Sequence, residues 1–182
     1  TTGTYNTALG NNTLESNTDG GYNVAVGIKA LEQNTTGDNN TAVGTQALQK
    51  NTASNSTAFG YNALNTNTTG VNNTAFGYNS SNFNEIGQYN ASFGSSALKY
   101  NKADFNTAIG GQALLFNTEG ENNTALGWRA LNGSTGPSSN TAVGAYALYS
   151  GGTNTIEGSQ NNTAVGTNAL KNNTTGPQNT AV

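Results

Sequence analysis

A five-residue pattern, Asn-Thr-Ala-apolar-Gly, recurs along the whole chain with few substitutions. It ends at Gly10, Gly27, Gly44, Gly60, Gly77, Gly94, Gly110, Gly127, Gly144 and Gly166, at spacings of 17, 17, 16, 17, 17, 16, 17, 17 and 22 residues. An eleventh copy begins at Asn179 and stops at Val182. Within the pattern the side chains alternate with period two, so Thr and the apolar residue share one face of a strand and Asn, Ala and Gly share the other. The apolar position, Φ, is Leu9, Val26, Val43, Phe59, Phe76, Phe93, Ile109, Leu126, Val143, Val165 and Val182, residues that favour strands. Three residues after most of the glycines comes Ala-Leu, as at Ala30-Leu31 and Ala113-Leu114, with Thr13-Leu14 a near copy and Ser80-Ser81 a break. Seven residues after the glycine another Asn usually opens a turn such as Asn34-Thr35-Thr36-Gly37. The unit therefore reads N-T-A-Φ-G-x-x-A-L-x-x-N-T-T-G-x-x.

Such a period predicts two short strands and two turns per unit, stacked as an all-β solenoid, a β-roll of about 11 coils. At ~4.8 Å per coil its body would be roughly 50 Å long. Units dense in Gly, Asn and Thr argue against helix. The Leu column is expected to meet the Φ column inside. Both 16-residue units lack the turn glycine, having Asn51-Thr52-Ala53-Ser54 and Asn101-Lys102-Ala103-Asp104. The turn glycine is expected to supply a positive φ, and those two turns to have changed type. The 22-residue unit carries five extra residues around Gly151 to Gly158 and recovers its register at Asn162, which predicts a surface loop. Residues 1–182 read as one array. Neither end has an atypical capping unit, so both read as cuts through a longer fibre.

Composition narrows the function. Of 182 residues only 8% are charged and 33% hydrophobic, with a formal net charge of −3. Low hydrophobicity without high net charge points to order by repetition rather than disorder. The absence of His removes the usual general base and the commonest metal ligand, and the absence of Cys removes thiolate chemistry. The carboxylates Asp19, Asp38, Asp104, Glu119, Glu121 and Glu157 are scattered, with no counterpart in most units, so neither a catalytic pair nor a calcium repeat is expected. No catalytic residue, metal or cofactor is assigned. Six Lys plus Arg argue against nucleic acid, and no apolar run approaches the ~20 residues needed to cross a membrane.

The core implied by this pattern is thin. At ~1.5–3 kcal/mol per buried large side chain, one Φ and one Leu per coil hardly offset ~1–2 kcal/mol of backbone entropy per ordered residue. Attention then falls on a small-residue column, Ala8, Ala25, Ala42, Ala58, Ala75, Ala108, Ala125, Ala142 and Ala164. It either lies inside the coil with Φ elsewhere, or forms a flat contact between subunits around a threefold axis; the second is the expectation. The column Asn6, Asn23, Asn40, Asn73 and their successors, interrupted at Ser56, is expected to form an amide ladder.

The motif Asn-Thr-Ala-Val-Gly-x-x-Ala resembles the Asn-Ser-Val-Ala-Ile-Gly-x-x-Ala repeat of trimeric autotransporter adhesin heads, and related repeats of phage tail-fibre proteins. The resemblance runs over the whole chain but departs in repeat length and in the added Asn-Thr-Thr-Gly turn. It implies a parallel homotrimer displayed outside the cell or on a virion. It further implies a structural or adhesive role, with the chain itself and a host-surface glycan or protein receptor as partners. Tyr61, Tyr78 and Trp128, each directly after a repeat glycine, are candidates for stacking on a sugar, against the simpler reading of packing between coils. Two alternatives remain: a subunit of a polymeric extracellular filament, and an ice-binding solenoid built on the Thr column.

Overall fold

In the computed structural model, which describes residues 2–133, 135–150 and 159–182, the chain winds as a parallel β-solenoid of about ten coils. Each coil contributes a single short strand: β1 Thr7–Leu9, β2 Val24–Val26, β3 Thr41–Val43, β4 Thr57–Phe59, β5 Thr74–Phe76, β6 Ala91–Phe93, β7 Thr107–Ile109, β8 Thr124–Leu126, β9 Thr141–Val143, β10 Thr163–Val165 and β11 Thr180–Ala181. They form one 11-stranded sheet in sequence order. Pairing is parallel and like residues face like: Thr57↔Thr74, Ala58↔Ala75, Phe59↔Phe76. The described residues contain no helix. Residues 151–158 of the long unit lie outside the described residues, but register does recover beyond them, with Thr141↔Thr163 paired as in every other coil.

The second half of the unit is not a strand. Its leucines have positive φ, from 48° to 51° across Leu14, Leu31, Leu48, Leu64, Leu98, Leu114, Leu131, Leu148 and Leu170, and so do the residues two positions earlier, such as Gln46 at 60°. The chain turns continuously there while still bonding to the next coil, Leu31 N–H to Ala47 C=O at 3.1 Å and Gln33 N–H to Gln49 C=O at 2.9 Å. The left-handed region is costly above all for side chains branched at Cβ. Among the described residues none with positive φ is Val, Ile or Thr, which is why this half of the repeat uses Leu where a strand would accept Val.

Leu and Ala fill the interior together. Ala25, Ala42, Ala58, Ala75, Ala108, Ala125, Ala142 and Ala164 have 0% exposure, enclosed by their own chain beside the Ala-Leu pairs of the second half. The expectation that this column, with Ala8, forms subunit contacts is therefore corrected. Only Ala8, in the first coil, is exposed. The cause is space: between the strand and the turning half there is room for one Leu and two methyl groups per coil, and Φ must point outward.

Two asparagine columns line the same interior. In the column that precedes each strand, Oδ1 of one coil accepts the backbone N–H of the same position in the next, as from Asn23 N–H to Asn6 and from Asn40 N–H to Asn23, both at 2.9 Å. Its Nδ2 donates to a turn carbonyl one coil on, as from Asn23 to Gly37 at 2.8 Å. The side-chain ladder expected there forms instead in the turn column, where Asn67 Nδ2 donates to Asn51 Oδ1 at 2.7 Å and Asn101 Nδ2 to Asn84 Oδ1 at 2.9 Å. Both columns answer the same need: buried turn carbonyls and amides must be paired.

The glycines divide into two kinds. The repeat glycines have φ from 126° to 141°, and nearly all abut the next coil: a Cβ on Gly77 would lie 2.7 Å from the Gly94 carbonyl. The turn glycine is kept for space alone. Gly37 has no positive φ, but a Cβ there would collide with the Ala53 carbonyl and Asn34 Oδ1. In the 16-residue units the turn is shorter, and Ala53 and Ala103 offer the carbonyl that the glycine offers elsewhere.

Candidate interaction face

With Ala turned inward, the strands show water a face made of the Thr and Φ columns. Phe59, Phe76, Phe93, Ile109 and Leu126 are 44, 36, 39, 41 and 44% exposed, a row of large apolar side chains on successive coils. The phenyl rings of Phe59 and Phe76 stack with centroids 5.4 Å apart and planes within 3°, and those of Phe76 and Phe93 at 5.1 Å and 7°. Stacking follows from the in-register pairing, which places identical side chains one strand spacing apart. Exposed apolar surface that runs on from coil to coil, rather than scattered singly, is the usual mark of a contact site.

The column directly after the repeat glycine borders this face. It holds Ile28, Tyr61, Tyr78 and Trp128, all about half exposed. Tyr61 and Tyr78 come together, stacked at 5.5 Å with planes within 10°. Each ring therefore spends one face on the other, while about half of each residue stays exposed. Trp128 stands apart, separated from Tyr78 by the coils of Ser95 and Gly111. It leans on the preceding coil, occupying the space a Cβ on Gly111 would need, with the Arg129 guanidinium 5.5 Å from its ring centre. The structure thus joins two of the three residues considered for sugar stacking.

No charged residue occurs in the Thr column, the Φ column or the column after the glycine. The six Lys plus Arg and nine Asp plus Glu all fall at turn or insertion positions. There they make local pairs. Lys29 Nζ lies 3.0 Å from Glu32, and the Gln49 amide donates to the same carboxyl. The Gln49 hydrogen bond and then Lys29 hold the Glu32 carboxyl below its ordinary value. Lys102 meets Glu85 at 3.3 Å, and Lys99 lies 5.0 Å from the centre of the Tyr100 ring, which itself stacks on Phe83 and Phe116.

Among the described residues no group of three or more His, Cys, Asp or Glu could hold a metal ion, and no helix is long and apolar enough to cross a membrane. The exposed face was missed in the sequence although a signal was present. Φ varies in size from Val to Phe, whereas the strand Ala gives way only to Ser92. A closed interior demands constant volume. Compared with protein-family models, with curated proteins and with solved structures, the chain matches none.

Proposed function

We propose that this chain is a non-enzymatic structural segment of an extracellular fibre, of the bacterial surface-adhesin or phage tail-fibre kind, that associates with its own copies as a parallel homotrimer. The observation that carries the reading is the uncharged, outward-facing Φ column, exposed from Phe59 to Leu126 and half-buried at Val26, Val43 and Val143. A threefold axis parallel to the long axis of the solenoid sets each residue against its own copies. Any charge on the contact face would then meet like charge, and this face has none. The charged turn columns stay on the outside, free for a host-surface glycan or protein receptor. The resemblance to adhesin-head repeats favours the same arrangement.

Sedimentation equilibrium tests the reading. The expected mass is three times that of the 18.6 kDa chain. Phe76→Glu with Ile109→Glu should disperse the assembly into monomers that keep their β-type circular dichroism, because both side chains point outward. A wild-type chain that sediments as a compact monomer would overturn the proposal. So would a double variant that retains the wild-type mass.

A further inference from the structure

Self-association of a repeating rod has a difficulty. A copy displaced by one coil finds nearly the same contacts and loses only the overhang, so a uniform column specifies register weakly. The Φ column is not uniform. β4, β5 and β6 carry Phe59, Phe76 and Phe93, between Val43 on one side and Ile109 on the other. The three rings are nearly coplanar in orientation and stacked at 5.4 and 5.1 Å, which makes them one block on the strand face.

Resting on the self-association proposed above, we infer that the Phe59–Phe76–Phe93 block is the register key of that face. Its partner is a second copy of this chain. The neutrality of the face favours a like surface over a charged one, and the one surface certain to carry a matching block at the same height is another copy in parallel. In register, block meets block. Displaced by a coil, one end of the block faces a Val or Ile, which leaves a gap beside one ring and crowds another; both lose dispersion contacts. In a closed trimer, moving one chain spoils two contacts out of three. The block therefore acts against displaced assemblies, the part of specificity that attraction alone does not provide.

The test uses two differently tagged full chains refolded together, with assembly mass measured first. Thr57→Cys on one chain and Ala91→Cys on the other lie two coils apart, about 10 Å along the axis. That exceeds the Cα separation of about 4.4–6.8 Å that a disulfide spans, so no mixed disulfide should form. The T57C chain is then given Val26→Phe, Val43→Phe, Phe76→Val and Phe93→Val, which moves the block two coils earlier using residues the column already contains. Pairing of the blocks now brings positions 57 and 91 side by side, and the mixed disulfide should form. With Phe59, Phe76 and Phe93 all changed to Val in both chains, the same disulfide should appear because displaced pairings become populated.

Cross-linking of the unshifted pair as readily as the shifted one overturns the inference, and also reports an antiparallel arrangement. Failure of the shifted pair to cross-link, or to join the parent at all, overturns it as well. A monomeric parent removes the self-association reading and the inference with it, whereas a correct mass with the wrong disulfide pattern removes the inference alone.

Discussion

Asn67 tests the claim that buried amide columns hold the coils together. Its Nδ2 donates to Asn51 Oδ1 and to the Gly70 carbonyl, both at 2.7 Å, and its Oδ1 accepts from Asn84 at 3.2 Å and Asn73 at 3.3 Å. Asn67→Ala strands two buried acceptors. Asn51 Oδ1 loses its donor. The Gly70 carbonyl loses its donor too, because the residue that would reach it from the preceding coil is Ser56, too short to do so. Asn34 is the control. Truncating it strands only the part-buried Asn17 Oδ1, and the Gly37 carbonyl keeps Asn23 at 2.8 Å. Each stranded buried group costs about 1–3 kcal/mol. Asn67→Ala should therefore destabilise by about 2–6 kcal/mol and exceed Asn34→Ala by about 1–3 kcal/mol. Adding Ser56→Asn should recover part of the difference. Because a solenoid opens locally as well as globally, the assay is native-state hydrogen exchange at the amides of β4 and β5, beside urea unfolding. Equal losses in the two truncations, or no recovery from Ser56→Asn, would refute the accounting.

Two other substitutions probe the interior and the glycine column. Ser81 occupies a Leu position at φ 47°, and Ser80, Ser81 and Ser92 bond one another at 2.7 and 2.8 Å where other coils are apolar. Ser81→Leu restores the column without disturbing the Ser80–Ser92 bond, and should raise stability by about 1–2 kcal/mol in thermal unfolding; a loss would show that the three hydroxyls act as a unit. Gly77→Ala places a Cβ against backbone at a φ of 129° and should cost more than about 3 kcal/mol, whereas Gly111→Ala meets only the Trp128 ring and should shift tryptophan fluorescence with little loss of stability. Similar costs for the two glycines would sink that distinction.

The spacing of the repeat glycines was enough to predict a solenoid, its register and the recovery at Asn162, because period is a property of sequence alone. Which face of the strand points inward was not legible from alternation, since Thr-Φ and Asn-Ala-Gly alternate equally well either way. Hydrophobicity pointed to Φ as the core. The volume of the interior decided for Ala, and the constancy of that position beside the variable size of Φ was the usable clue. The second half of the unit failed for a different reason. Leu is read as a strand or helix former, and a φ near 50° at Leu64 or Leu98 is set by the tertiary need to turn the chain back over a narrow core. The Ala contacts assigned to a subunit interface followed from the first error. The face that replaces them was already present in the same pentapeptide.

The direction of the hydrogen bonds has a mechanical consequence. Among the described residues the inter-coil backbone bonds, such as Thr57 N–H to Asn73 C=O at 2.8 Å and Leu64 N–H to Ser80 C=O at 3.0 Å, join each coil to the next and so run along the rod. Tension applied from end to end through the polypeptide therefore peels coils away one after another, instead of shearing the whole sheet at once. Each detached coil of 17 residues releases roughly 50 Å of chain, at ~3.3–3.6 Å per extended residue less the thickness it had in the stack. A rod built this way would yield under load in small, regular steps, lengthening about tenfold per coil before the next one gives.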